Sequence, residues 1–144
     1  MPPPLLYVAG LLLGSALEAV FPIPSPPLVV ILAAGAIGIG GWLALDGAAM
    51  LLFRRAGTSA APMRPTIALV TSGPYRLTRN PMYVGMAFLY LGFALPLGAI
   101  WSLALLPAVL LGVDRIAIVR EERYLEAKFG EEYRAYKGRV RRWL

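Results

Sequence analysis

Apolar residues run almost without interruption from Leu5 to Phe21 and again from Leu28 to Phe53, and residues 1–53 carry only two charges, Glu18 and Asp46. Runs of this length and polarity predict membrane-spanning helices. Between them, Pro22-Ile23-Pro24-Ser25-Pro26-Pro27 cannot continue a helix, because proline lacks the N–H and clashes with the preceding turn. A tight, stiff connection is expected there. The second run is long enough to cross with some tilt. Its middle is filled by Ala33, Ala34, Gly35, Ala36, Gly38, Gly40 and Gly41, small residues that let helices approach closely in lipid. Residues 54–80 then carry five arginines and no acid. Pro62, Pro65, Gly73 and Pro74 predict an irregular aqueous loop rather than one long helix.

Residues 81–113 carry no charge. The basic loop before this stretch and the basic tail after it both belong on the cytoplasmic side, so an even number of crossings must separate them. Pro96-Leu97-Gly98 supplies the turn, giving a third span over about 81–95 and a fourth over about 99–119. The third is short, about 22 Å at roughly 1.5 Å per residue. Pro107 is a candidate kink in the fourth. Residues 114–144 hold nine basic and six acidic residues. Asp114–Phe129 has high helix propensity, and Gly130 is a plausible stop. Glu131 and Glu132 suit the first turn of another helix and Arg139, Arg141 and Arg142 its other end. Trp143 fits an interfacial anchor.

The expected fold is therefore all-α. It is a single integral membrane bundle over 1–144, with about four transmembrane helices (5–21, 28–53, 81–95, 99–119), a cytoplasmic loop 54–80 and a cytoplasmic helical tail 120–144. Met1-Pro2-Pro3-Pro4 lacks the positive start of a secretory signal, and Ala16-Leu17-Glu18-Ala19 is a poor cleavage site, so the first run is expected to be retained. A multi-pass protein of a prokaryotic-type cell membrane, with both termini cytoplasmic, is the predicted placement.

Composition narrows the chemistry. With 58% hydrophobic and 15% charged residues, the chain is too apolar for an ordinary soluble domain. The net charge of +6 sits beside apolar spans, which points to an anionic membrane surface rather than nucleic acid. There is no Cys and no His. Thiol nucleophiles, disulfides and Cys/His zinc sites are excluded, no metal site is expected, and the usual general base near neutral pH is missing. Chemistry must rest on carboxylates, tyrosines, backbone groups or a cofactor.

Candidate groups cluster at two places. In the loop, Asn80 precedes Pro81 and is pushed away from the α region. Pro81 suits the first position of the third helix, and Asn80 its N-cap. Such a helix start, with free N–H groups, favours a carboxylate or phosphate; ordinary capping and snorkelling arginines are the alternative. In the tail, Glu121 and Glu122 can bind a cationic amine or sulfonium, or form a solvated face. Tyr133 and Tyr136, three apart on one helical face, either line an adenine pocket or pack the tail onto the bundle. Glu18 and Asp46 are intramembrane acids, candidates for function by position. Glu18 lies near a span end, and Asp46 about two turns before Arg54, where it can face a polar mouth.

Three elements carry a family resemblance. Gly73-Pro74-Tyr75-Arg76 followed by Arg79-Asn80-Pro81-Met82-Tyr83-Val84-Gly85 resembles the G-P-Y-x-x-x-R-[HN]-P-x-Y-x-G signature of the isoprenylcysteine carboxyl methyltransferase and phospholipid N-methyltransferase group. Arg120-Glu121-Glu122 with Leu125 resembles its R-E-E-x-x-L element. Phe129-Gly130-Glu131-Glu132-Tyr133-Arg134-Ala135-Tyr136 is similar to its F-G-x-x-Y-x-x-Y tail. The resemblance covers about residues 64–144. It implies an S-adenosylmethionine site containing Arg79, Asn80, Pro81, Tyr83, Gly85, Glu121, Glu122, Tyr133 and Tyr136, with Asn80, Tyr83 and Glu122 nearest the chemistry. The implied partners are membrane lipids and a lipophilic or lipid acceptor. Asn80 stands where the carboxyl methyltransferases usually have His, which points away from an isoprenylcysteine acceptor.

Methyl transfer from a sulfonium needs alignment and exclusion of water more than acid–base groups, so the lack of His and Cys is no obstacle. In this reading the Asn80-Pro81 helix start and nearby arginines hold the cofactor's carboxylate and Glu121 or Glu122 its ammonium. Tyr83, Tyr133 and Tyr136 wall the adenosine. The acceptor enters from the bilayer between the third and fourth spans. Two alternatives are an NADPH-dependent membrane reductase of the sterol-reductase type and a non-enzymatic small membrane scaffold.

Overall fold

The computed structural model describes residues 2–57 and 67–144. Helix α1 spans Pro3–Val20 and α2 spans Leu28–Arg55, separated by the extended proline-rich turn. A short 3-10 turn, Gly73–Arg76, precedes α3, Pro81–Ala94. Helix α4 (Trp101–Val113) passes through a five-residue π turn, Asp114–Ile118, into α5 (Val119–Phe129). Helix α6, Glu131–Arg139, completes the tail. The described residues form helices, turns and irregular segments, with no strand among them. Pro62 and Pro65 of the predicted loop punctuation lie outside the described residues.

Three helices are long and apolar enough to cross a membrane: α1, α2 and the continuous rod Trp101–Phe129. Helix α3 is apolar but shorter, at 14 residues, as its run of residues predicts. The fourth span and the first tail helix, expected as separate pieces, are one rod. The charges that begin at Asp114 change the polarity of the helix without supplying a residue that breaks it. The departure from α geometry falls at the π turn rather than at Pro107, which lies within α4. π turns of this kind are frequent at functional sites.

Helix α1 packs on α4, and α2 packs on α3. The α2–α3 contact depends on glycine: a methyl group on Gly38 would overlap the backbone of Gly92, while one on Gly40 meets nothing. The same interface holds Asp46, whose Oδ2 lies against Gly85 so closely that no side chain fits there. That oxygen is buried without a hydrogen-bond partner among the described residues; the carboxyl also interacts with the Trp42 side chain.

The far end of the bundle is tied by Glu18. Its Oε1 accepts from the Ile23 N–H at 2.5 Å, and its Oε2 accepts from the N–H groups of Ile100 and Trp101 at 3.0 and 3.4 Å. One carboxylate thus satisfies the turn after α1 and the open N–H groups at the start of α4. Glu18 is a structural clasp. The other charged segments lie toward the opposite end, where α2 ends, α3 begins and the tail folds back.

The glycine contact gives a direct check. Gly38→Ala should lower the thermal unfolding midpoint in detergent, by about 1–3 kcal/mol of overpacking. Gly40→Ala should leave it unchanged or slightly raised. Equal behaviour of the two variants would contradict the close α2–α3 approach.

Candidate functional site

The site is assembled from the loop before α3, the first turn of α3, the π turn with α5, and residues 140–143 of the tail. Gly73 starts the loop with φ +59°, and a side chain there would press on Leu52. The following turn buries Tyr75, whose ring meets Phe53 edge-on at 5.7 Å. At the other end, Gly130 takes φ +55° and breaks the rod before α6. This lets Tyr133 and Tyr136 fold back into a cluster with Ala49 and Tyr75. The Tyr136 hydroxyl donates to the Tyr75 carbonyl at 2.7 Å. Burial pushes the hydroxyls of Tyr75, Tyr133 and Tyr136 up; Glu121's charge adds for Tyr75, Glu122's for Tyr133 and Tyr133 itself for Tyr136. Arg79 opposes the shift at Tyr133 and Tyr136. The pair packs the tail onto the bundle.

The tail then runs back along the loop. The Arg79 N–H donates to the Arg141 carbonyl at 2.8 Å. Thr78 Oγ1 and Asn80 Nδ2 both donate to the Arg142 carbonyl at 2.9 Å. Asn80 does occupy the N-cap position of α3, with Pro81 first in the helix, but its side chain makes no cap bond. The amide is engaged by the tail instead. Its own N–H donates to Thr78 Oγ1 at 3.1 Å. These bonds hold residues 140–143 as a strap across the mouth of the bundle.

The strap delivers Arg142 to two acids. Arg142 Nε and Nη2 donate to Glu122 Oε1 and Oε2 at 3.1 and 2.6 Å, and Nη1 reaches both oxygens of Asp114 at 3.3 Å. These partners, Glu122 first, hold the guanidinium more firmly in its charged form. Trp143, expected as an interfacial anchor, is partly buried. Its Nε1 donates to Asp114 Oδ1 at 3.2 Å, and its ring packs on the core of Tyr90, Val109 and Val113.

Glu122 is 6% exposed and lies between two arginines. Arg142 grips it from one side, and Arg79 Nη1 lies 2.9 Å from Oε1. Glu122 therefore has no free edge for a further cation. The Arg79 side chain is itself 10% exposed. Its Nη1 is engaged by Glu122 and the guanidinium also meets the Tyr133 hydroxyl, while Nε is buried without a hydrogen-bond partner among the described residues, so one guanidinium N–H donor remains unspent at the start of α3.

Glu121 differs from its neighbour. It is open along one edge, and the Tyr83 hydroxyl donates to its Oε2 at 3.0 Å. The protein packed round the rest of the group pushes its carboxyl up; the Tyr83 bond opposes this and Glu122's charge adds to it. Tyr83 is fixed in turn by Tyr7, whose hydroxyl donates to the Tyr83 carbonyl at 2.9 Å. Gly85 serves the helix contact with Asp46 rather than an open surface.

The structure thus brings Arg79, Asn80, Tyr83, Glu121 and Glu122 to one end of the bundle, with Tyr133 and Tyr136 packed beneath. A profile of the phospholipid methyltransferase family matches residues 28–132. The chain belongs to this family. Its signature loop, α3, the rod and the start of the tail all fall within the match. An uncharacterized protein of Haemophilus influenzae is 48% identical over 65 residues, covering 44% of this chain and all of that protein. The protein-S-isoprenylcysteine O-methyltransferase of Schizosaccharomyces pombe is 39% identical over 72 residues, 50% of this chain but only 30% of the yeast enzyme. No solved structure matches. Family and helices together make this a membrane protein of methyltransferase type.

Thr78, Asp114, Arg142 and Trp143 were not among the sequence candidates. Arg142 reads as one more residue in the basic run Arg139–Arg142, and Asp114 as the first charge after an apolar span. Nothing local pairs them across 28 positions.

Removing Glu122 should strand two guanidinium groups. Glu122→Ala is expected to cost about 3 kcal/mol of stability, as loss of one partner from a buried ion pair does, and to speed tryptic cleavage of the tail. Glu131→Ala, at an exposed pair with Arg134, should do neither.

Proposed function

We propose that the protein transfers a methyl group from S-adenosylmethionine to a lipophilic acceptor at the cytoplasmic face of a prokaryotic-type cell membrane, with both termini on that face. The observation that carries this reading is the buried Arg79 guanidinium with its unpaired Nε, on the same mouth of the bundle as the open Glu121–Tyr83 pair. A zwitterionic amino-acid group is complementary to that combination. Its carboxylate suits Arg79, since a guanidinium pairs with carboxylates through well-directed charge-assisted bonds. Its ammonium suits Glu121. When bound, the cofactor would supply an electrophilic methyl carried on a sulfonium.

The remaining residues act through these. Glu122 positions Arg79 and Arg142 rather than touching ligand, because both of its oxygens are taken. Asn80 and Thr78 fix the strap that supplies Arg142. Tyr133 supports Arg79 from beneath. The acceptor reaches the mouth from the bilayer, between α3 and α4. No His or Cys is needed, since the chain's task is to align two reactants and exclude water. Family membership favours this reading over the reductase and scaffold alternatives.

Glu121 must be ionised to hold an ammonium, and its carboxyl is pushed up. Affinity for S-adenosylmethionine should therefore be full above that raised range and fall as pH drops through it. Calorimetry in detergent tests this. Glu121→Gln should weaken binding about tenfold or more and flatten its pH dependence, and Tyr83→Phe should weaken it by a smaller factor. Binding unchanged in both variants would overturn the site. Incubation with labelled S-adenosylmethionine and total lipid extract should yield a labelled lipophilic product.

A further inference from the structure

The end of α2 carries a cluster of cations that the methyl-transfer site does not use. Helix α2 finishes on Arg54-Arg55, and the 3-10 turn finishes on Arg76. The fold sets these two ends side by side. Leu52 lies where a side chain on Gly73 would fall, and the Phe53 ring meets the Tyr75 ring edge-on at 5.7 Å. Arg54 and Arg76 each follow one of these rings. The Tyr136 hydroxyl holds the Tyr75 carbonyl, so the turn is fixed against α2 and the tail together.

Arg54, Arg55 and Arg76 are exposed, and their side chains make no ion pair among the described residues. In the tail, by contrast, Arg134, Lys137 and Arg142 each have an acid. The loop cannot neutralise its own charge either, because residues 54–80 hold five arginines and no acid. All five are Arg, although the chain uses Lys at 128 and 137. A planar guanidinium fork pairs phosphate oxygens two at a time, where an ammonium acts as a point charge. Leu51 and Leu77, beside the arginines in the chain, are exposed. Helix α2 is long and apolar enough to cross a membrane, and most of it is open. Its arginine end therefore falls where hydrocarbon gives way to head groups.

We propose that Arg54, Arg55 and Arg76 form a binding site for the phosphate head of an anionic membrane phospholipid, with its acyl chains along Leu51 and the outer surface of α2. The phosphate chemistry is shared with a free phosphate ion; the exposed leucines and the apolar helix beneath select the lipid. The ligand is bound and released unchanged, so it is not the methyl acceptor, and the site does not depend on the methyl-transfer reading. Arg76 stands three residues before Arg79. A lipid held there steadies the loop on which the donor site is built.

The test is native mass spectrometry of the whole protein, stripped of lipid in a neutral detergent. It is titrated with phosphatidylglycerol, with phosphatidylcholine of the same acyl chains, and with inorganic phosphate. The wild type should hold its first phosphatidylglycerol about tenfold or more tighter than phosphatidylcholine, and inorganic phosphate at equal concentration should not displace it. Arg54→Gln/Arg55→Gln/Arg76→Gln should abolish the preference. Arg76→Lys, which keeps the charge but not the fork, should weaken it by about threefold. A charge-matched triple on the rod and tail, Arg115→Gln/Arg123→Gln/Arg139→Gln, should keep it within about twofold. Equal loss in the two triple variants would overturn the proposal, since that is diffuse attraction to charge rather than a site. Equal retention of both lipids by the wild type, or displacement by inorganic phosphate, would also overturn it. S-adenosylmethionine binding, measured in parallel, separates the two claims. Its absence with the lipid preference intact would sink the methyl-transfer reading and leave the lipid site standing.

Discussion

Glu122 carries two guanidinium groups brought from different parts of the chain, and it can be buried only while both are there. An isolated carboxylate taken out of water at the edge of a membrane bundle would cost several kcal/mol. Arg142 on the strap and Arg79 on the signature loop offset that cost together. The consequence is architectural: the loop, the rod and the tail cannot separate without exposing a charge to a poor environment. Asp114 extends the network by one more acid on the π turn, and the Trp143 indole N–H donates to it. A charged mouth and the apolar core are thereby joined at adjacent residues, 142 and 143.

The helices beneath supply a stiff base for this network. Close approach at Gly38–Gly92 and the seat of Asp46 against Gly85 fix α3 relative to α2. Tyr7 reaches from α1 to the Tyr83 carbonyl, and the Tyr90 hydroxyl donates to the Ser102 carbonyl of α4. Each bond crosses between helices inside an apolar bundle, where an unpaired hydroxyl or carbonyl is costly. Tyr83 consequently faces Glu121 from a backbone that is held at both ends of the side chain's reach. Glu18 does the corresponding work at the far end, tying two turns with one carboxylate.

Much of this is legible in the residues. Hydrophobic length and the segregation of charge give the spans, the short third helix and the end of the bundle where the charges collect, because both signals are local and large. Pro81 and Gly130 place a helix start and a helix break, since each residue has few conformations open to it or an unusual one. Long-range pairing is not legible in the same way. Asn80 has the local signature of a capping residue, yet its amide serves a carbonyl 62 positions away. Glu121 and Glu122 look alike in the sequence, and only the fold makes one a buried anchor and the other an open edge. The tyrosines of the tail are ambiguous for the same reason: their spacing defines a face but not what covers it. The strap is the largest omission, because nothing in Arg139–Leu144 distinguishes it from a solvated basic tail.

We propose that loop, rod and strap form one donor site held by Glu122. Amide hydrogen exchange of the full chain in detergent, with and without S-adenosylmethionine, tests this most directly. S-adenosylmethionine should slow exchange together in residues 72–84, in 119–125 and in 140–143. Protection confined to one of these segments, or no change in any, would contradict it.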